Sequence, residues 1–134
     1  MTRLDIVEKG NIVLETVAKE VPVAEITSQP IQKIISDMKE TLDAISDGVG
    51  LAAPQVGESL RIFLVSKKIL KRNAKHKSKH EQESIDDLVC INPKIIKVSR
   101  KTQDMQEGCL SVRWIYGTTK RHVGATVEAF DELG

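Results

Sequence analysis

The clearest pattern in the chain is an apolar stripe at helical spacing between residues 28 and 46. Charged side chains occupy the opposite face, as in a helix with one buried side. They are Lys33, Asp37, Lys39, Glu40 and Asp43. Ser28 is a suitable N-cap, Pro30 fits the first turn, and Gly48 is a typical stop signal. We therefore predict a helix over Ser28–Ser46. The stripe consists of Ile31, Ile34, Ile35, Met38, Leu42 and Ile45.

Short apolar runs elsewhere predict β-strands. Arg61–Ser66 is almost continuously apolar, which favours a strand buried on both faces. Pro93 separates two further strands, because proline suits the start or the edge of a strand. Asp131–Gly134 is typical of a hairpin turn, and no second strand follows it. The other predicted strands are Leu88–Asn92, Lys94–Ser99, Leu110–Val112 and Val123–Phe130, and Asn11–Leu14 is a strand or a turn.

These elements predict an α+β fold, in which short, mostly antiparallel strands pack around the central helix. The 134 residues suit a single domain over residues 1–134. With 40% hydrophobic and 29% charged residues, the composition is that of a globular protein and not of a disordered or fibrous one. Aromatic residues are only 3%, so we expect a core of mainly Ile, Val and Leu.

Charge and targeting signals narrow the classes of partner and compartment. The net charge is +1, which gives no global argument for a nucleic-acid partner. The N-terminal residues lack a long apolar run, so we expect neither a signal peptide nor a membrane span. Cys90 and Cys109 are too few for a disulfide framework. A reducing cytoplasm is the simplest compartment, and nothing in the sequence indicates the oligomeric state.

One segment is strongly basic and poor in apolar residues. It contains seven Lys or Arg side chains between Lys67 and Lys79. We predict an exposed basic and polar loop over residues 67–87. Blocks of basic residues can dock on phosphates, so contact with RNA or the ribosome is one interpretation. The other, which we favour, is a solvated loop that keeps the protein soluble.

Two stretches are candidates for chemistry, and the first is Gly48–Gly57, which reads GVGLAAPQVG. Gly48 and Gly50 permit backbone conformations and close approaches that other residues avoid. Gln55 is the only side chain in the run with hydrogen-bonding groups, so its amide is a candidate for contact with a ligand. The alternative is a helix end followed by a buried turn, in which Gln55 only satisfies backbone groups.

The second stretch is Glu107–Ser111, which reads EGCLS. A cysteine beside glycine at a predicted strand start, flanked by Glu, is a candidate metal ligand or nucleophile. The alternative for Cys109 is a small buried residue, which is the commoner role of a lone cysteine. Cys90 lies inside an apolar run, and there we favour burial.

The two stretches, in this order, resemble motifs of the peptide deformylase family. Further segments also match the family pattern, so the resemblance covers nearly the whole chain: the strand between the motifs, Ile91–Pro93, the tail from Lys120 through Asp131, and the entry helix with Asp37 and Met38. The resemblance implies removal of the formyl group from the N-terminal formyl-methionine of new proteins, with formyl-methionyl nascent peptides as partners. It also implies a bound divalent metal, commonly Fe²⁺, with Zn²⁺, Ni²⁺ and Co²⁺ as alternatives.

The resemblance assigns catalytic roles to three positions. Cys109 corresponds to the metal-binding cysteine, and a soft thiolate suits a transition metal. Gln55 corresponds to the glutamine whose side-chain amide stabilises the oxyanion formed when water attacks the formyl carbon. The backbone N–H of Leu110 is the second donor. Two donors placed in advance favour the charge that develops in the transition state.

Other positions are implied in substrate binding and in support of the site. Val49, Gly50 and Gly108 lie where the family pairs its backbone with the substrate peptide, as in strand addition. Glu107 and Arg121 correspond to charges that meet across the loop carrying the metal cysteine. Without the resemblance, both would be ordinary surface charges.

A third family motif, His-Glu-x-x-His on a helix, is absent from this sequence. It would supply two metal ligands and the general base. His76 and His80 have the i, i+4 spacing, but they precede Cys109 and have Lys77 where the base would be, so we expect no metal there. With Cys109 as one ligand of the three that a catalytic site needs, we expect a C-terminally incomplete domain that lacks the motif helix and is inactive or impaired. The alternative is a non-catalytic deformylase-like protein that binds peptides, RNA or the ribosome.

The chain also departs from the family beyond the second motif. After Val112 the family often has Pro-Gly, and here Arg113 and Trp114 follow. Trp114, the only tryptophan of the chain, lines the rim of the substrate cleft or covers the hairpin. We favour the second interpretation.

Overall fold

The computed structural model describes residues 2–134, and within that range the chain forms three α-helices and six β-strands. The helices are α1 (Gln29–Asp43), α2 (Lys67–Asn73) and α3 (Lys79–Glu83). The strands are β1 (Gly50–Ala52), β2 (Ile62–Val65), β3 (Leu88–Val98), β4 (Thr102–Cys109), β5 (Val112–His122) and β6 (Ala125–Phe130). Short 3-10 turns cover Ile12–Leu14, Val23–Glu25 and Ala53–Val56.

The strands form two sheets with antiparallel pairing throughout. The larger sheet has the order β1-β2-β3-β6, so β1 and β6 are its edges. The smaller sheet is the hairpin of β4 and β5. The predicted α+β class with mostly antiparallel strands is therefore correct. Along residues 2–134, no helix has the length and apolar character that a membrane span requires.

The core lies between α1 and the first three strands of the larger sheet. One face of α1 is buried, as the apolar stripe predicts, and its partners are mainly β-branched residues and leucines, as the low aromatic content indicates. Each such side chain contributes roughly 1.5–3 kcal/mol when fully buried. The buried cluster contains Val21, Ile26, Ile31, Ile35, Met38, Leu42, Leu51, Ala53, Ile62, Leu64, Val89 and Ile91.

Two polar residues of α1 are buried beside this core. Asp37 accepts from the backbone N–H of Thr2 at 2.7 Å, and Thr41 Oγ1 accepts from that of Leu4 at 2.7 Å. The hydrogen bond from Lys33, followed by that from Thr2, holds the pKa of the Asp37 carboxyl below its usual value. The pattern predicts Asp37 on the exposed face, which is wrong because the N-terminal segment packs over it.

The predicted end of the helix is too late. The helix ends at Asp43, and Ala44 is its C-cap. Lys68 Nζ donates to the carbonyl oxygens of Asp43 and Ile45, each at 3.1 Å. A side chain from α2 therefore satisfies carbonyl groups at the helix end, a contact that residues 28–48 alone do not indicate.

The predicted loop over residues 67–87 is wrong in its local structure, since it contains α2 and α3. Ser66 caps α2 by accepting from the N–H of Lys68, and Ser78 with Glu81 forms a reciprocal capping box on α3. Neither helix has a buried residue, but Lys67–Lys71 are half-buried and Ala74 and Asp87 are buried, so the exposed part of the segment is mainly residues 75–84. His76 precedes α3, so it does not share a helical turn with His80.

Strand boundaries differ from the predictions in several places. Pro93 does not break the chain into two strands, because β3 continues through it with a register shift between Ile91 and Lys94. Leu110 and Ser111 form the turn of the β4–β5 hairpin and not a strand. In β2, Ile62 and Leu64 are buried but the alternate residues are only half-buried. The segment 11–14 is a turn, and 131–134 forms the predicted turn.

Candidate functional site

A cleft of about 490 Å³ separates the β1 region from the β4–β5 hairpin. The two motifs found in the sequence line its opposite walls. Its lining residues are Asp47, Val49, Gly50, Gln55, Gln106, Glu107, Gly108, Cys109, Leu110, Val112, Arg113, Trp114, Ile115 and Tyr116. The fold thus brings together seven of the eight residues predicted for the site, and Arg121 is held beside them through Glu107.

The outer edge of β1 presents backbone groups to this cleft. Ser66 donates its N–H to the carbonyl of Val49 at 2.9 Å, and Gly50 lies opposite Val65. Since hydrogen-bonding direction alternates along an antiparallel pair, the N–H and C=O of Gly50 point away from β2. A Cβ at Gly50 would lie 3.0 Å from the carbonyl oxygen of Leu64. A side chain there would push the backbone of β2 away by a few tenths of an ångström, so glycine favours the close pairing of β1 with β2, and the free edge suits an extended peptide.

Gln55 is held by both ends of its amide. Its Oε1 accepts from the backbone N–H of Ala52 at 2.9 Å. Its Nε2 faces the opposite wall, 3.3 Å from Ser111 Oγ and 3.6 Å from Cys109 Sγ. The backbone carbonyl of Gln55 accepts from the N–H of Val7 at 2.8 Å. Because Oε1 is already occupied, the group that Gln55 presents to the cleft is an N–H donor.

The hairpin turn presents Cys109 to the cleft. The thiol of Cys109 is exposed, whereas Leu110 packs against the core and Ser111 is 4% exposed. The carbonyl of Ser111 accepts from the N–H of Lys9 at 2.9 Å, which anchors the turn to the N-terminal segment. Cys90 is half-buried in β3, and burial raises the pKa of its thiol. Only Cys109 is therefore available to a ligand in the cleft.

Glu107 and Arg121 form a bidentate ion pair across the β4–β5 hairpin. Nε of Arg121 donates to one carboxylate oxygen at 2.8 Å and its NH2 group donates to the other at 2.7 Å. The pairing lowers the pKa of Glu107 to about 2. Glu107 therefore stays ionised near neutral pH and fixes the strand that leads to Cys109.

The sequence does not predict roles for Ser111 and Tyr116, and it leaves two interpretations open for Trp114. Ser111 is inside the second motif, and its partner Gln55 becomes evident only when the two motifs meet. The ring of Tyr116 lies over Gly108, where a Cβ would be 2.7 Å from two ring carbons. Trp114 is 79% exposed and lines the cleft, so the prediction that it covers the hairpin is wrong.

The cleft offers few of the donors that a transition-metal site needs. Cys109 supplies one soft ligand, and Gln55 Nε2 is a hydrogen-bond donor rather than a ligand. Among residues 2–134, no three His, Cys, Asp or Glu side chains are grouped so that they could hold a metal ion. A catalytic site of the usual kind needs three protein ligands, so these residues do not fit a complete metal site on their own.

The fold is that of solved peptide deformylases. The peptide deformylase from Thermotoga maritima is 30% identical, with a TM-score of 0.80, and the match covers 100% of this chain and 78% of that one. An Acinetobacter baumannii peptide deformylase, solved with Met-Ala-Ser bound, is 26% identical with a TM-score of 0.80. That match covers 99% of this chain and 79% of the other.

The family model described as polypeptide deformylase matches residues 3–134, and this chain belongs to that family. The chloroplastic peptide deformylase 1A of Solanum lycopersicum is 37% identical over 133 residues, covering 97% of this chain and 48% of the relative. A peptide deformylase of Fusobacterium nucleatum is 35% identical over 127 residues, covering 93% and 62%. The chain spans about half the length of the first of these relatives.

Proposed function

We propose that this chain forms the peptide-binding and oxyanion-stabilising part of a peptide deformylase, which hydrolyses the formyl amide of formyl-methionyl peptides. The observation that carries the proposal is the orientation of Gln55. Its Oε1 is tied to Ala52, so Nε2 is directed at Cys109 across a cleft of peptide size. The A. baumannii relative solved with a tripeptide supports a peptide as the ligand class.

The peptide would bind in extended form along β1. Gly50 offers an outward N–H and C=O, and these would pair with the backbone of the peptide as an added strand. This places the first residue of the peptide near the turn that carries Cys109. The formyl oxygen would then lie within reach of two donors, the Nε2 of Gln55 and the N–H of Leu110. Both donors are fixed before the ligand arrives, which is the condition for oxyanion stabilisation.

Cys109 would be one ligand of a divalent metal, Fe²⁺ or another ion that accepts a thiolate. Because residues 2–134 do not supply a group of three ligands, we expect this chain by itself to bind metal weakly and to turn over slowly. The cleft is lined by residues within 47–55 and 106–116, so we expect it to bind peptide without a complete metal site. Peptide binding and hydrolysis should therefore be separable in the 134-residue chain.

Three measurements on the purified chain test the proposal. Calorimetric titration with formyl-Met-Ala-Ala should show saturable binding, whereas metal analysis after loading with Fe²⁺ or Zn²⁺ should show less than one equivalent. Hydrolysis of the same peptide should be slow. Absence of peptide binding would refute the cleft assignment, and tight one-to-one metal with rapid turnover would refute the expected impairment.

The alternative is a binding protein that keeps the cleft without hydrolysis. It predicts the same titration, but no turnover when the chain is supplemented with a peptide containing the His-Glu-x-x-His segment of a relative. Recovery of turnover would favour the deformylase. Contact of the basic segment 67–79 with RNA has less support, because Lys67 and Lys68 already engage Asp43 at the end of α1.

A further inference from the structure

A β-bulge carries three residues of β5 into the cleft. Cys109 pairs with Val112, and the preceding residue Gly108 pairs with Tyr116. Residues 113–115 therefore have no opposing residue on β4, and all three line the cleft. Bulges beside binding sites redirect side chains, and this one directs a large apolar surface at the cleft mouth. Trp114 is 79% exposed, Ile115 66% and Tyr116 65%.

Trp114 adopts a backbone conformation that tryptophan rarely takes. Its φ is +67°, within the left-handed region where side chains other than glycine are disfavoured. A mostly exposed indole contributes little burial in return. Residues held in such conformations concentrate at binding and catalytic sites, so an exposed, strained aromatic residue in a cleft points to contact with a ligand.

The side chain of Arg113 packs on the indole and also reaches the opposite wall of the cleft. The guanidinium of Arg113 lies over the Trp114 ring, 4.9 Å from its centroid. Arg113 also reaches Asp47, at 3.5 Å, on the loop that leads to β1. Asp47 and Arg113 offset each other's charge, so the surface offered by the bulge is mainly apolar and aromatic.

We propose that the bulge Arg113–Ile115, with Trp114 at its centre, is a specificity element that selects peptides with an aromatic side chain shortly after their first residue. The occupant is the same extended peptide that lies on the edge of β1, because the bulge and Gly50 line one continuous cleft. Alternate side chains of an added strand point to opposite faces. The side chain of the second or third residue would therefore stack on Trp114. This inference rests on the proposed function, since it requires a peptide in that cleft.

The single tryptophan makes the test direct, since fluorescence excited selectively at the tryptophan absorption edge reports on Trp114 and not on Tyr116. Three peptides are titrated into the 134-residue chain by calorimetry and by fluorescence: formyl-Met-Ala-Ala, formyl-Met-Phe-Ala and formyl-Met-Ala-Phe. One of the two aromatic peptides should bind about two- to tenfold more tightly than the alanine peptide, the range that an aromatic pair contributes. The same peptide should shift the Trp114 emission most strongly.

A matched pair of variants separates recognition from structural support. Trp114→Gly should abolish the preference and also raise the unfolding midpoint temperature, because glycine accepts the positive φ. Trp114→Phe should keep the preference, and Val17→Ala, at a residue 80% exposed outside the cleft, should change neither quantity. A lower midpoint for Trp114→Gly with an unchanged preference would show a structural role and overturn the inference.

The remaining outcomes distinguish the two proposals. Binding of all three peptides with equal affinity and no change in emission overturns the specificity element and leaves the cleft intact. Failure of every formylated peptide to bind overturns the cleft assignment itself, and the specificity element with it.

Discussion

The Nε2 atom of Gln55 lies 3.6 Å from the Sγ atom of Cys109, although 54 positions separate the two residues in the sequence. This short distance arises because the 3-10 turn that holds Gln55 and the hairpin turn that follows Cys109 lie on opposite walls of one cleft. The 3-10 turn Ala53–Val56 fixes Gln55 through the N–H of Ala52, and the two-residue hairpin turn after β4 presents the thiol. The donor is therefore placed before any ligand binds, and the consequences can be tested side chain by side chain.

Gln55→Ala should weaken binding of formyl-Met-Ala-Ala about two- to tenfold, the net worth of one neutral hydrogen bond. It should also lower stability by about 1 kcal/mol, because the N–H of Ala52 loses its acceptor. Gln55→Glu keeps that acceptor and removes the donor. We expect it to weaken binding while leaving the urea midpoint near that of the wild type. Equal binding by wild type and both variants would show that Gln55 does not contact the peptide.

Ser111→Ala tests whether the orientation of Gln55 is supported from the opposite wall. Ser111 Oγ is the oxygen partner of Gln55 Nε2, at 3.3 Å, and the residue is 4% exposed. Its loss should cost about 1 kcal/mol of stability and a few-fold in peptide affinity. The double variant Gln55→Ala/Ser111→Ala should lose less peptide affinity than the sum of the two single variants, because both changes remove the hydrogen bond that directs Gln55 Nε2 into the cleft. Additive losses would show independent roles.

The apolar periodicity of the sequence predicts the elements that bury one face against the core, such as α1. Four residues of the α1 stripe, Ile31, Ile35, Met38 and Leu42, are buried as predicted, because helical periodicity places them on one face. The sequence does not predict β5 beyond Val112, because its residues are mostly exposed and no alternation of apolar and polar positions marks the strand. The motif pair indicated Gln55 and Cys109 through family resemblance. The role of Ser111 depends on the fold that joins the motifs, and no local pattern contains that information.

Contacts distant in sequence account for the other differences. Asn92 has a φ of +52°, and its amide exchanges two hydrogen bonds of 2.8 Å with the backbone of Val21. This asparagine, next to Pro93, produces the irregular register within a continuous β3. Likewise, the end of α1 is set with the help of Lys68 from another helix. Neither partner can be identified from the segment in which the irregularity occurs.

Gly50→Ala tests the requirement for a glycine in β1. The added Cβ would lie 3.0 Å from the carbonyl oxygen of Leu64, and a backbone atom cannot move aside as a flexible side chain can. We expect a loss of about 1–3 kcal/mol in the free energy of unfolding, as for other insertions into packed structure. Gly117→Ala is the matched control, because a Cβ there meets nothing within 4 Å. Equal urea midpoints for both variants would contradict the close pairing of β1 with β2.

The ion pair of Glu107 and Arg121 should make stability depend on pH in the acid range. Its hydrogen bonds to Arg121 lower the pKa of Glu107 to about 2, below the ordinary value of 4.5. The folded state thus favours the ionised carboxylate. The stabilisation is complete above pH 4.5 and is lost as the pH falls towards 2. Wild type should therefore be more stable than Glu107→Gln at pH 7, and the difference should shrink between pH 4.5 and 3.

Urea unfolding of both proteins at pH 7, 4 and 3 measures this difference, and NMR titration of the Glu107 carboxyl measures its pKa directly. Arg121→Lys provides the companion variant, because lysine keeps the charge but cannot donate from a planar fork to both carboxylate oxygens. We expect its Glu107 to titrate at a higher pH than in the wild type. A stability difference that stays constant from pH 7 to pH 3, with an ordinary Glu107 pKa, would rule out the ion pair as the support of the strand that carries Cys109.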